Sequence, residues 1–435
     1  MNDRVVRLGI LGAGNVGAGV IEVIRERGAE IARRTGISLR VAAAAVRDPH
    51  RPRPVDLSGL WLTSDPAALV EAPDLDVVVE VMGGLEPART LVLRAIERRM
   101  GVVTANKQLL AVHGRELFEA AARRGVDLRF EGSVGGGLPL IQTLLESLAA
   151  NRIQGIHGIL NGTTNYILTR MTRSGMRLDE ALAEARQAGF AEADPSEDLE
   201  GRDAAAKLLI LAGIAFGAWG RLEDIPCEGI TRIAPADIAH AERLGYRVKL
   251  LAWARNGGEA ILAGVFPTLV PLTHPLARVD DEYNALLVRG DAVGEILFQG
   301  RGAGGLPTAS AVVADCIDIG RNLAAGTSGR VLLRAGSTHR FAPAAELCAP
   351  VYLRLEVADR AGVLAAIAAV FGRHQVSIAA VIQHPTTGAA ETAELVMITH
   401  RASGRAVQEV VHGLSALDVV HQVKSVIRVL EEPRE

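Results

Sequence analysis

The chain has 435 residues, 49% of them hydrophobic and 3% aromatic, with a formal net charge of −3. That length exceeds what one hydrophobic core usually organises, so two or three domains are expected, and the Ala-, Val-, Leu- and Gly-rich composition excludes a disordered or disulfide-stapled chain. No one-sided basic footprint of the kind phosphate-backbone binding needs is present, which argues against a nucleic-acid partner.

Residues 5–11 read as a short apolar strand, followed at once by Gly12-Ala13-Gly14-Asn15-Val16-Gly17 and the helical pattern Val20, Ile21, Val23, Ile24. This is G-x-G-x-x-G in its proper context. Gly12 permits a tight turn, Gly14 lets the backbone approach a pyrophosphate, and Gly17 lets helix and strand pack closely, with Asn15 and Val16 opening the helix that faces the phosphates. A second strand over 39–46 ends at Arg47-Asp48, where an acidic residue would hold a ribose 2′-hydroxyl and an Arg would accommodate a 2′-phosphate. Arg47 tilts the cofactor choice slightly from NAD toward NADP, although Asp48, Arg51 and Arg53 also fit a solvated rim. Strands over 76–81 and 102–104 end in Met82-Gly83-Gly84 and Ala105-Asn106-Lys107. Ligands of an open parallel sheet lie beyond the carboxyl ends of its strands, so Lys107 is placed to meet cofactor or substrate, unless it merely starts a surface helix.

A strand over 126–130 leads into Glu131-Gly132-Ser133-Val134-Gly135-Gly136-Gly137-Leu138-Pro139. Glycines there expose carbonyls beside a carboxylate, which suits either a hard cation or a domain-crossing turn. Residues 156–160 read as a strand, and Asn161-Gly162-Thr163-Thr164-Asn165 turns the chain or caps a helix starting near Tyr166. The stretch 192–207 carries Glu192, Asp194, Glu197, Asp198 and Glu200 ahead of Asp203, then delivers Lys207 into an apolar helix. Asp203 and Lys207 are four residues apart, the spacing of an ordinary solvated ion pair. The same face continues through Ile210, Leu211 and Ile214, so Lys207 begins an apolar stripe, and a catalytic or substrate-binding role competes with the plain one.

In order, GAGNVG, TANK, EGSVGGGLP, NGTTNYIL, EADPSEDLEGRDAAAK and RGAGGLPTASAVV resemble the homoserine dehydrogenase family over roughly residues 5–340. The resemblance implies reversible NAD(P)H-dependent reduction of L-aspartate 4-semialdehyde to L-homoserine, serving threonine, methionine and isoleucine biosynthesis. It implies that Lys207 donates the proton with Asp203 beside it, that Glu192 holds the substrate amino group, and that Glu197 and Asp198 line the same pocket. Lys107 would sit at the junction of nicotinamide and substrate, and either lysine could transfer the proton. Glu131 with the carbonyls of Val134, Gly136 and Leu138 would form a monovalent cation site, sodium being the candidate ion, while Gly302 and Gly305 would touch the cofactor. A cation beside the developing alkoxide is what hydride transfer to a carbonyl needs. Glu197 stands where the family often has Asp.

From residue 351 a βαββαβ order fits in under 90 residues: a strand to 357, a helix to 374, strands over 376–383 and 393–399, a helix over 407–414, and a strand over 419–429. With Asp359-Arg360-Ala361-Gly362-Val363-Leu364 this resembles an ACT domain, although Ala361 replaces the Pro common in that loop. The resemblance implies a threonine effector near Asp359, Gly362, Val363 and Leu364, at an interface of a homodimer or homotetramer. A purely assembly role is the alternative.

Cys227, Cys316 and Cys348 are widely separated, which predicts buried thiols in a reducing, cytoplasmic setting and supports neither a metal cluster nor a Cys-dependent aldehyde dehydrogenase. Residues 5–20 and 208–219 are too short or too interrupted to cross a membrane, and no membrane partner is expected. A non-enzymatic amino-acid sensor would have no use for Asp203 and Lys207 in register. The expected architecture is α/β: a Rossmann-type domain over 1–130 completed by about 305–340, an α+β substrate and dimerisation domain over 131–304, and an ACT-like regulatory domain over 349–431.

Overall fold

Strand β1 (Arg4–Leu11) becomes fully buried over its last four residues, as expected of a central parallel strand covered on both faces. The chain turns at Gly12 into helix α1 (Asn15–Thr35) and returns as β2 (Ile37–Ala45) and β3 (Trp61–Thr63). It then crosses through α2 (Pro66–Glu71) to β4 (Val77–Glu80), through α3 (Ala88–Glu97) to β5 (Gly101–Thr104), and through α4 (Lys107–Arg124) to β6 (Leu128–Arg129). All five pairings are parallel and the order is β3-β2-β1-β4-β5-β6. The order reverses between β1 and β4, and the crevice beyond their carboxyl ends is the binding edge of such a sheet.

The computed structural model describes residues 4–330, 333, 340–385 and 392–431. It divides into two compact units, the first comprising 1–154, 206–222 and 288–339, the second 155–205, 223–287 and 340–435. In the first unit the helix Gly305–Ala325 packs Ala309, Val312, Cys316 and Ile319 against Val6, Ile10, Val77 and Val103 of the sheet. The expected completing segment thus includes this helix. Its remainder beyond 330 lies outside the described residues, except 333 and 340.

The second unit is built on one sheet. Eight of its strands run in the order Tyr283–Gly290, Ile153–Ile159, Tyr246–Asn256, Ala260–Pro271, Val420–Val429, Val351–Ala358, Thr392–Thr399 and Ile378–Pro385. The last four, with helices Val363–Arg373 and Gly404–Ser415, form the βαββαβ module around Leu353, Leu355, Ile367, Phe371, Leu395 and Leu414. Val420–Val429 also pairs in parallel with Ala260–Pro271 through Arg428 opposite Thr268 and Val429 opposite Leu269, so the module joins the preceding sheet by backbone hydrogen bonds. Among the thiols Cys316 is buried as expected, whereas Cys227 is exposed and Cys348 half-buried. Among the described residues no helix is long and apolar enough to cross a membrane.

Candidate active site

The glycine turn has the geometry its chemistry requires. Gly12 has φ +101°, and a Cβ on Gly17 would fall 2.0 Å from the Gly12 carbonyl oxygen, so neither position accepts a side chain without moving the turn. Gly14 caps α1 and faces open space, leaving the first N–H groups of the helix for an anion. The late glycines arrive at the same edge of the first unit. Gly305 packs so closely on Asn15 that a Cβ would lie 2.9 Å from the Asn15 carbonyl oxygen, and Gly136 meets Gly302 at 2.7 Å in the same sense. Beyond β2, Arg47 is exposed, and its guanidinium makes no hydrogen bond or ion pair among the described residues. Asp48 spends its carboxylate on the His50 N–H at 2.9 Å.

Lys107 is the first residue of α4, half-buried, and Asn106 caps that helix by accepting from the Leu109 N–H at 3.1 Å. Behind it, Phe118 stacks on Phe130 and Trp219 with centroids 5.0 and 5.1 Å away, tying α4 to the turn at Glu131 and to the chain that follows the helix Arg202–Phe216.

The Glu131 carboxylate is buried and accepts from the backbone N–H groups of Leu140 at 2.6 Å, Ile141 at 2.8 Å and Gln142 at 2.8 Å, while its own N–H donates to Asp315 at 2.8 Å. Burial pushes the pKa of both carboxyls upward. The carboxylate therefore anchors the turn that follows, where Gly135 and Gly136 are left-handed at φ +74° and +57°. Val134 and Leu138 are buried beside them.

In the acidic stretch, Asp203 and Lys207 are 5% and 8% exposed and one helical turn apart. Asn161 draws two of the carboxylates together in the second unit: its amide donates to Asp198 at 2.6 Å and to Asp203 at 2.9 Å, while its carbonyl accepts the Thr164 N–H at 2.8 Å and so starts the helix Gly162–Ser174. Glu192 and Glu197 stand outside this cluster. Both are exposed, and Glu197 pairs with Arg202 at 2.8 Å.

Residues 12–131 match the NAD-binding domain of homoserine dehydrogenase, 139–317 the homoserine dehydrogenase domain, and 351–415 the ACT domain. A homoserine dehydrogenase of Bacillus subtilis is 40% identical over 426 residues, 98% of each chain. The chain belongs to the homoserine dehydrogenase family. The crystal structure of a homoserine dehydrogenase from Thiobacillus denitrificans superposes with a TM-score of 0.93 at 42% identity, covering 98% of this chain and 99% of that one. A hyperthermophilic archaeal homoserine dehydrogenase mutant in complex with NADPH matches 73% of this chain and 98% of its own, at 29% identity and a TM-score of 0.63. Homoserine dehydrogenases are NAD(P)-dependent oxidoreductases acting on a CH–OH group, and this chain has that activity.

Within the homoserine dehydrogenase framework the ACT loop is open to solvent. Asp359 accepts from Gln383 Nε2 at 3.3 Å, Gly362 caps the helix Val363–Arg373 at φ +90°, Val363 is buried, and Leu364 is 46% exposed. One residue of the site, and one buried elsewhere in the second unit, have no chemical reading in the sequence. Asn161 was legible only as a turn or cap, because Asp198 and Asp203 lie 37 and 42 residues away in the chain. Lys249 is 1% exposed, donating to Asn165 and Asp280 at 3.1 Å, and the signal for it is scarcity: only four of the 47 basic residues are lysines, namely Lys107, Lys207, Lys249 and Lys424.

Proposed function

We propose that this chain catalyses the reversible reduction of L-aspartate 4-semialdehyde to L-homoserine with NADP preferred over NAD, on the path to threonine, methionine and isoleucine. The observation that carries the reading is the burial of Asp203 and Lys207 one turn apart on a single helix, with Asp203 gripped by Asn161. An exposed acid and base at that spacing would be incidental; two such groups withdrawn from water are in a position to act on a reacting group. Lys207 holds the proton that goes to the substrate oxygen as the alkoxide forms. An amine can do this at neutral pH and a guanidinium cannot, which fits a chain that otherwise uses arginine almost throughout.

Lys107 meets the nicotinamide end of the cofactor and the substrate, Glu192 holds the substrate ammonium, and Glu197 and Asp198 belong to the same acidic lining. Gly12, Gly14, Asn15, Val16, Gly17, Gly302 and Gly305 hold the dinucleotide, which supplies the hydride. NADP is favoured because the Arg47 guanidinium is uncommitted among the described residues and Asp48 is occupied in its own turn. A monovalent cation such as sodium is taken by Glu131 with the carbonyls of Val134, Gly136 and Leu138, on the turn that the Glu131 carboxylate anchors.

The ACT module binds threonine around Asp359, Gly362, Val363 and Leu364, its exposed Leu364 and Val381 meeting a second copy in a homodimer or homotetramer. The domains run 1–130 with about 305–340, 131–304 and 349–431, and the dispersed thiols support a cytoplasmic setting.

The test follows nicotinamide reduction on adding L-homoserine, with NADP and NAD in parallel and with or without L-threonine. Turnover faster with NADP and lost with threonine is expected. No turnover in folded protein that still binds dinucleotide overturns the substrate; equal rates overturn the cofactor preference, and insensitivity to threonine overturns the effector.

A further inference from the structure

Glu80 closes β4 with no exposure to solvent, and the chemistry above gives it no task. Its carboxylate accepts from the N–H groups of Met82 at 3.0 Å and Gly83 at 3.3 Å, in the loop that continues its own strand. From the neighbouring strand end it accepts from the Thr104 hydroxyl at 2.6 Å and, at 3.5 Å, from the Asn106 amide. Asn106 extends the connection, donating to the Gly84 carbonyl at 2.7 Å and capping α4, whose first residue is Lys107.

A carboxylate in such a place is costly, and burial pushes its pKa upward against the donors around it. An apolar residue could fill the space. A carboxylate has room for four donors at once, and here those donors belong to the loop after β4, to the end of β5 and to the loop that follows it, at the sheet edge where ligands of this fold lie.

We infer that Glu80 is a positioning residue for the reaction: it locks the loops 82–84 and 105–107 into one geometry and thereby aims Lys107. The inference rests on the reading of Lys107 as a cofactor and substrate contact. Like other support for a reacting group, it acts through the precision of placement, since a small displacement far from the bond being broken is enough to lower turnover.

The experiment is a double-mutant cycle on kcat and KM, using the full chain with homoserine and NADP. Its members are the unaltered chain, Glu80→Gln, Lys107→Ala and the double variant. Glu80→Gln keeps the size and one acceptor oxygen but offers an amide to Thr104 and Asn106. The expected result is a fall in kcat of about tenfold for Glu80→Gln, with KM for homoserine changing less, shrinking to under about twofold when Lys107 is already Ala. Glu80→Asp, which restores the charge one methylene short, recovers part of the loss. An unchanged kcat in Glu80→Gln, or the same fold-loss in both backgrounds, overturns the inference. Full turnover in Lys107→Ala instead overturns the reading of Lys107, which separates the two failures. If Glu80→Gln does not fold, Thr104→Val withdraws a donor from the same carboxylate and enters the same cycle, judged by the same outcomes.

Discussion

Arg354 sets its Nε 2.7 Å from Oδ1 of Asp237 and its Nη2 3.2 Å from Oδ2, a bidentate ion pair between the first strand of the ACT module and the helix Pro235–Arg243. Both residues are buried, at 6% and 0% exposure. Ser425 donates to the same carboxylate at 2.7 Å, and Arg354 reaches on to Glu394, which is itself 2.6 Å from His240. Three strands of the module are thereby pinned to one helix of the preceding fold.

Removing one partner of a buried pair strands the other charge without water. Arg354→Ala is expected to cost about 3–5 kcal/mol in urea unfolding, whereas Arg354→Met combined with Asp237→Leu recovers most of it, because the fully buried carboxylate goes with the guanidinium and Glu394 keeps its contact with His240. A loss below about 1 kcal/mol for Arg354→Ala would show that water enters the gap and that the pair does not hold the module in place.

Lys249 makes a prediction in pH. Desolvation lowers its pKa from 10.5 to about 8, with Asp280 opposing the shift. The unfolded chain keeps this proton up to about 10.5 while the folded chain releases it near 8, so the unfolded state binds more protons between those limits. The group's contribution is complete above the unfolded value and is lost as pH falls through the folded one. Stability of the unaltered chain relative to Lys249→Met is therefore expected to rise between pH 8 and 10, by about 3 kcal/mol at most. A difference in urea midpoint that stays flat over this range would contradict it.

The parts of the molecule that sequence made legible are the local ones. The glycine turn is written in six consecutive residues, and the ACT strands are short and bounded by turns, so both were read with their neighbours. Ala260–Pro271 was not read as a strand, because it is buried on both faces and shows no alternation. The helix expected near Tyr166 starts at Gly162, since the Asn161 carbonyl captures the Thr164 N–H one turn earlier. The expected strand over 126–130 shortens to Leu128–Arg129, where the chain bends into the Glu131 turn. Glu80 and Asn161 act through partners far along the chain, and no window of sequence contains both ends of such a bond.

Gly17 tests the dinucleotide turn. A methyl group 2.0 Å from the Gly12 carbonyl oxygen cannot be accommodated, so Gly17→Ala must push α1 away from β1 and misdirect the helix N–H groups. NADPH affinity, read by fluorescence titration, is expected to fall more than about tenfold, while Gly28→Ala, where a Cβ meets nothing within 4 Å, leaves it unchanged. Unchanged affinity in Gly17→Ala would mean that the cofactor is not held at this turn.

Lys207 and Asn161 should fail in different ways. With Lys207 proposed as the proton donor, its loss acts on the chemical step, so Lys207→Ala is expected to lower kcat by about 10²- to 10⁴-fold with NADPH affinity retained. Asn161 touches Asp198 and Asp203 rather than a reacting atom, and Asn161→Ala should cost about tenfold, raising KM for homoserine as the carboxylates separate. Asn161→Asp keeps the helix cap but sets a third negative charge against two others, so its loss should exceed that of Asn161→Ala. If Asn161→Asp were as active as the unaltered chain, Asp198 and Asp203 would not depend on a donor between them.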